Sequence, residues 1–397
     1  MKQTRAFLLY LALGIVASVH SVLAQTAALP PGTYKQLTEI HKLIEDERFS
    51  DALSATKALR SSLDGSNYEN AVVLQTEGYI YANLADYKNA ITAFNGALQL
   101  NRLPAATQQQ LRFQLAQLYL AQEQPEQALL QINRWIDESA QPWAEASALQ
   151  GTALAQLKRY REAIPAFEKA VAMEPRETWR QTLLALNYEL QRYKACATIL
   201  RSLIKNFPGK ADYWKQLASM YILQEDHANA LVTLELAERQ GYLSEESDRL
   251  QLVQLYLQRG IPYKAATLLE DDLKSGRIRS TTENRELLAS AWTLTRHHDH
   301  AIIAWKAAAK HADNGAPYRQ LGYLYYETGD WGKAADALEK AISRGLKNHQ
   351  ADAWLMLGIC HYESGKRDAA RNAFTRAAAL DSGDHAAQQW LKYLESS

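Results

Sequence analysis

Residues 322–341 read GYLYYETGDWGKAADALEKA. Gly322 stands twelve residues before Ala334, Tyr325 nine before it, and Leu338 and Ala341 follow it by four and seven. Positions i, i+4 and i+7 share one face of a helix, so Ala334, Leu338 and Ala341 form a buried stripe. The glycine lets a preceding helix cross that stripe closely, and Tyr325 fills the gap beside it. With Asp330-Trp331-Gly332-Lys333 as the turn, the stretch predicts two paired helices.

The pattern recurs along the chain in YKNAITAFNGAL (87–98), YREAIPAFEKAV (160–171), HANALVTLELAE (227–238) and RDAARNAFTRAA (367–378). Aligning on the alanine gives anchors at Ala52, Ala90, Ala128, Ala163, Cys196, Ala230, Ala265, Ala301, Ala334 and Ala370, spaced by 33 to 38 residues. A period of this size marks a repeat array, here of about ten units over residues 34–381. Small residues fill the slot twelve before the anchor at Gly78, Ala116, Gly151, Ala218, Ala289 and Gly358. Tyr81, Tyr119, Tyr221, Tyr256 and Trp292 take the slot nine before it, and Pro104, Pro175, Pro208, Gly241, Gly276 and Gly345 fall where helices should stop.

Composition agrees. The 397 residues hold only 18 Gly and 10 Pro with 47% hydrophobic residues, which suits long helices around a core rather than a disordered chain. The 44 basic and 44 acidic residues cancel, so no global field holds nucleic acid or an anionic membrane. Two cysteines are too few for a disulfide-stapled scaffold or a structural zinc cluster.

The order small, Tyr, Ala, aromatic, Ala, Pro resembles the tetratricopeptide repeat, over nearly all of the chain after residue 33. The resemblance implies an all-α solenoid, a right-handed superhelix of helix-turn-helix repeats. The first, fifth and seventh units depart from the pattern: Ile40 and Thr56 replace a small and an aromatic residue, Leu184 and Asn187 do likewise, and Asp272 occupies an alanine slot. Those units read as imperfectly packed or as bends, and the first equally as a cap with one unpartnered face.

The ends differ from the array. MKQTR leads into the apolar run Ala6–Val19, and Val22-Leu23-Ala24 fits a signal-peptidase site, so residues 1–24 read as a signal peptide cleaved after Ala24. The product is expected to be exported to the periplasm. An uncleaved anchor is the alternative, although the run falls short of the ~20 apolar residues that cross a bilayer. Residues 25–33, with Pro30, Pro31 and Gly32, read as a linker. Residues 382–397 carry Ala387, Trp390, Leu391 and Leu394 as an apolar stripe and read as a C-terminal capping helix.

Reactive constellations are sparse. His297-His298-Asp299-His300, with His311 beyond, offers zinc or copper ligands, yet it occupies the turn before Ala301 where other units place ordinary solvated residues. No His-Glu-x-x-His, phosphate loop or Gly-x-Ser-x-Gly occurs, so neither catalysis nor a cofactor is expected. Cys196 and Cys360 stand in packing slots far apart and read as free thiols. Residues 225–272 hold ten acids against four bases, and residues 274–311 seven Lys or Arg against three acids. That asymmetry could steer a charged partner or pair internally.

First helices of stacked units line the concave side of such an array. The side chains expected there are Gln75, Tyr79 and Asn83, then Phe113 and Gln117, with Thr152 and Gln156 after them. Further along come Gln181, Tyr188, Lys215, Ser219 and Gln254, followed by Arg319, Tyr323, Tyr326 and Tyr362. Amides and tyrosines suit adaptable polar contacts around rigid rings, although they also serve as plain solvated helix faces. The Lys and Asn clamp by which some tetratricopeptide grooves grip a chaperone's C-terminal carboxylate is missing from Gln75/Tyr79 and Phe113/Gln117.

The segments RLQLVQLYLQRGIPYKAATLLEDDLKSGRI (249–278), NRELLASAWTLTRHHDHAIIAWKAAA (284–309) and QQWLKYLE (388–395) resemble exported proteobacterial tetratricopeptide proteins that accompany the TonB energy-transduction system. That resemblance implies a periplasmic accessory of TonB-type uptake and transfers no binding residue. The expectation is a non-catalytic scaffold that holds a protein partner, an envelope protein, in its groove, with no nucleic acid and no membrane span after cleavage. The alternative is an accessory binder of a small solute, glycan or metal.

Overall fold

The structure, a computed structural model, describes residues 29–63, 68–140, 143–380 and 385–396. The proposed signal peptide lies outside those residues. Among them are 21 helices and no strand. The chain divides into two compact units, one reaching to Ile199 and the other beginning at Leu200. In the first, α1 (Pro31–Glu45) pairs with α2 (Phe49–Ser61), α3 (Tyr68–Asn83) with α4 (Tyr87–Gln99), α5 (Ala105–Ala121) with α6 (Pro125–Glu138), and α7 (Ala144–Gln156) with α8 (Tyr160–Met173). Helix α9 (Glu177–Glu189) follows, and the boundary falls inside α10 (Tyr193–Asn206). The second continues with α11 (Ala211–Ile222), α12 (His227–Arg239), α13 (Glu246–Gln258), α14 (Pro262–Ser275), α15 (Thr282–Leu294) and α16 (His298–Ala309). It ends with α17 (Ala316–Glu327), α18 (Trp331–Ser343), α19 (Gln350–Glu363), α20 (Arg367–Leu380) and α21 (His385–Ser396).

All ten anchor residues have 0% exposure, so the anchor slot is fully buried in every repeat. Beside it sit fully buried large side chains, Phe94, Ile132, Leu200, Leu234, Leu269, Leu338 and Phe374. The small slot exists for these knobs. A Cβ on Gly78 would stand 2.4 Å from the Phe94 ring, and one on Gly358 would stand 2.5 Å from Phe374. No side chain fits there unless the ring moves.

One turn geometry joins the two helices of every repeat. Glu47, Ala85, Glu123, Lys158, Gln191, Glu225, Gly260, Arg296, Gly329 and Gly365 each lie two residues before a second helix, and all have positive φ between 55° and 75°. In nine of the ten, all but the turn where His297 donates to the Thr295 hydroxyl at 3.3 Å, the next residue's N–H then turns back to a carbonyl of the first helix, as in Asp86 to Tyr81 at 2.9 Å and Asp330 to Tyr325 at 2.8 Å. That bond with a left-handed residue before it satisfies a carbonyl the helix end would otherwise orphan. Asp86, Asp226 and Asp330 next cap the second helix, accepting from the backbone N–H three residues on at 3.1 to 3.3 Å.

The departures from the repeat pattern are satisfied in place rather than loosely packed. Thr56 is buried and donates its hydroxyl to the Ala52 carbonyl at 2.6 Å, while buried Asn187 donates to the Leu183 carbonyl at 2.8 Å. Asp272 is fully buried because Arg249 reaches it from α13, with Arg277 pairing at 2.8 Å. Helix α1 begins at Pro31, inside the expected linker, because proline at the first helical position needs no N–H partner and its φ is already helical. At the other end, α21 buries Ala387 and Leu394 and stacks Trp390 on Phe374, with centroids 5.3 Å apart and planes 9° apart. Residues 381–384 lie outside the described residues.

Candidate functional site

Three of the expected groove residues are not on a surface. Gln75 and Tyr79 are buried, because ten residues of α3 are covered by its neighbours. Tyr79 packs edge-on to Phe94 at 5.2 Å, and Gln114 of α5 faces its hydroxyl from the following repeat. Burial lifts the Tyr79 hydroxyl above its ordinary range. Thr152 is likewise buried, its hydroxyl donating to the Ala148 carbonyl at 2.8 Å. Asn83 is exposed at the end of α3, and its amide donates to the Tyr79 carbonyl at 2.8 Å.

The others reach solvent at least in part, and several are held by neighbouring rings. Phe113 packs against Trp135 at 5.8 Å and edge-on against Trp143 at 5.6 Å, while Trp135 and Trp143 stack at 5.7 Å. Trp143 is nevertheless 55% exposed. Sequence reasoning missed both tryptophans. Trp135 stands seven after Ala128, where six of the other nine repeats keep alanine, and that substitution was the available signal. Gln117, Gln156 and Gln181 are half-buried, and Tyr188 is exposed beside Tyr193 at 6.1 Å.

In the second unit, Arg319, Tyr323 and Tyr326 occupy i, i+4 and i+7 of α17 and form one row. The Arg319 guanidinium lies 5.5 Å above the Tyr323 ring, and Tyr326 meets Trp331 edge-on at 5.1 Å. Tyr362 packs on Trp390 at 5.2 Å, and its hydroxyl donates to that of Tyr393 at 3.2 Å. Gln254 is exposed, Ser219 bonds back to the Lys215 carbonyl at 3.0 Å, and the Lys215 ammonium pairs with Asp248 at 3.2 Å.

Part of the expected charge asymmetry around residue 273 pairs within the fold. Arg249 pairs with Glu238 and Asp272, Arg277 with Asp272, and Arg279 with Glu246 at 2.6 Å. Hydrogen bonds and charge from Arg279 hold Glu246 below the usual carboxylate range. The histidine turn is absorbed by aromatic packing: His300 stacks on Trp292 at 4.4 Å, His297 lies against Tyr263 at 5.6 Å, and His298 faces Glu327 at 3.9 Å. Among the described residues, no three His, Cys, Asp or Glu side chains converge as a metal site. Among the same residues, no helix is long and apolar enough to cross a membrane.

The repeat geometry agrees with sequence signatures of known families. Two signatures for the tetratricopeptide repeat match, one at residues 113–178 and 319–387 and the other at 71–102. The chain carries tetratricopeptide repeats. Solved structures similar to it include a tetratricopeptide repeat protein from Parabacteroides merdae, 17% identical over 66% of this chain and 99% of that one, with a TM-score of 0.41. MamA from Desulfovibrio magneticus RS-1 is 20% identical over 46% of this chain and 99% of its own, with a TM-score of 0.40. YrrB, a tetratricopeptide protein with an unusual peptide-binding site, is 16% identical over 46% and 89% of the two chains, with a TM-score of 0.37. No curated protein matches the chain.

Proposed function

We propose that this protein is a non-catalytic tetratricopeptide scaffold that holds a segment of a protein partner against ring-supported aromatic side chains. The observation that carries the reading is Trp143, a large ring more than half in water yet fixed by Trp135 and Phe113. An aromatic held in place without a partner loses little side-chain entropy on binding, and tryptophan is enriched among the residues that dominate protein interfaces. The row Arg319, Tyr323 and Tyr326 offers the second unit a surface of the same kind.

Export and an envelope partner belong to the same proposal. Lys2 and Arg5 before an apolar run and the Val22-Leu23-Ala24 site support a periplasmic product, and the resemblance to TonB-associated proteins supports an accessory part in uptake. Mass measurement of the protein from cells should give a chain beginning at Gln25, and an intact Met1 would overturn export by this route.

A photoreactive residue at position 143, or at 323, should form adducts with a protein in intact cells. Trp143→Ala combined with Tyr323→Ala and Tyr326→Ala should abolish capture of that protein at unchanged helicity. Retained capture would refute the surface assignment.

A further inference from the structure

A cavity of about 390 Å³ opens between α16, α17 and α18, on a different face of α17 from the Arg319 row. Its floor is apolar: Tyr318, Leu321 and Tyr325, at i, i+3 and i+7 of α17. Its walls are basic. Lys306 in the last turn of α16 and Lys310 just past its end form one wall, and Lys333 and Lys340, two turns apart on α18, the other, against the single acid Asp336.

The walls converge. The Lys306 ammonium from α16 and the Lys333 ammonium from α18 each lie 5.7 Å from the centre of the buried Tyr325 ring. Lys333 pairs with Asp330 at 2.5 Å, whereas Lys306, Lys310 and Lys340 have no acidic partner within 4 Å among the described residues. Arg344 adds a guanidinium 5.2 Å above the Tyr318 ring at the same floor. In a chain whose charges cancel overall, and in which Arg249, Arg277 and Arg279 are all paired, this site keeps an excess of positive charge. Like charges drawn together around low-dielectric walls focus a field that an anion relieves.

We propose that this cavity takes an acidic segment of a protein partner, in which two or more Asp or Glu side chains flank an apolar or aromatic one; the inference rests on the protein-scaffold reading above. The open mouth admits a chain rather than enclosing a small molecule. The apolar floor receives a side chain, and the three ammoniums without an acidic partner, on flexible stems, act as point charges that follow carboxylates of variable spacing, unlike the rigid fork of arginine.

The test is fluorescence anisotropy of a labelled peptide with glutamates around a central phenylalanine, beside its glutamine counterpart, at low and high salt. The glutamate peptide should bind, weaken with salt and outcompete the glutamine peptide. Lys310→Ala with Lys340→Ala, both exposed and remote from the core, should weaken it roughly tenfold at unchanged circular dichroism. Equal binding of the two peptides, or unchanged affinity in the double variant, would overturn the proposal. So would displacement by inorganic phosphate at equal concentration, which would make the cavity a small-anion site. If adducts from positions 143 and 323 persist while the acidic peptide is ignored, this inference fails and the scaffold reading stands. Peptide binding without such adducts has the reverse meaning.

Discussion

The Arg249 guanidinium donates from Nε to the Asp272 carboxylate with both side chains out of solvent, at 4% and 0% exposure. The same guanidinium holds Glu238 in a two-point contact at 2.8 and 2.9 Å. Asp272→Ala restores the residue usual in that slot yet strips a buried cation of its most buried partner, at a cost of about 3 kcal/mol. Arg249→Met combined with Asp272→Ala should cost less than Asp272→Ala alone, since Glu238 and Arg277 can then face water. Urea-unfolding midpoints of the two singles and the double measure the coupling, and additive losses would contradict it.

Gly358→Ala should destabilise although alanine is the better helix former by about 1 kcal/mol. The new methyl meets the Phe374 ring, and overpacking costs about 1 to 3 kcal/mol. Gly332→Ala in α18, where nothing lies within 4 Å, should instead stabilise. A thermal-melting comparison of the two variants reads opposite signs.

The left-handed turn residues set a third expectation. Gly329→Ala forces a Cβ into positive φ and should lower stability by about 1 kcal/mol. Glu123→Gly, at φ 55°, should raise it by a few tenths to about 1 kcal/mol after the entropy of the unfolded chain is offset. A loss of stability in Glu123→Gly would show that the Glu123 side chain contributes more than its backbone strain costs.

Two buried histidines make stability fall with acid. Burial lowers the His41 pKa against a raising influence from Glu45; it also lowers that of His361, where Glu339 opposes and Lys366 assists. Each is neutral when folded and takes up a proton more readily when unfolded. Their contribution is therefore complete above the unfolded value of about 6.5 and is lost as pH falls towards the lower folded values. His41→Leu should flatten the unfolding midpoint between about pH 7 and 5; an unchanged slope would mean that His41 takes up its proton equally readily in the folded and unfolded chain.

Cys196 and Cys360 are free and fully buried, and burial pushes the Cys360 thiol up to about 11 and that of Cys196 in the same direction. Neither should react with a thiol reagent at neutral pH until the chain unfolds, when both should react. A fast-reacting thiol in the native protein would contradict the packing.

The backbone architecture was legible in the sequence because it rests on local spacing: anchors, small slots and their knobs occupy the depths their periodicity implies. The surface was legible only in part. Tyr79 has the spacing of a groove residue, yet α5 of the next repeat covers it, and such cover depends on how repeats stack. Asp272 looked like a defect because its partner Arg249 lies 23 residues earlier, in another helix. The lysine-lined cavity draws on three helices, and no single stretch of sequence displays it.

The shared left-handed residue of the ten turns also bears on how the chain can change in size. Cutting from one left-handed residue to the next, as from Glu225 to Gly260, removes one whole period and joins backbone of matching conformation. Recombination between such points would lengthen or shorten the gene in whole steps, each junction inheriting a working corner.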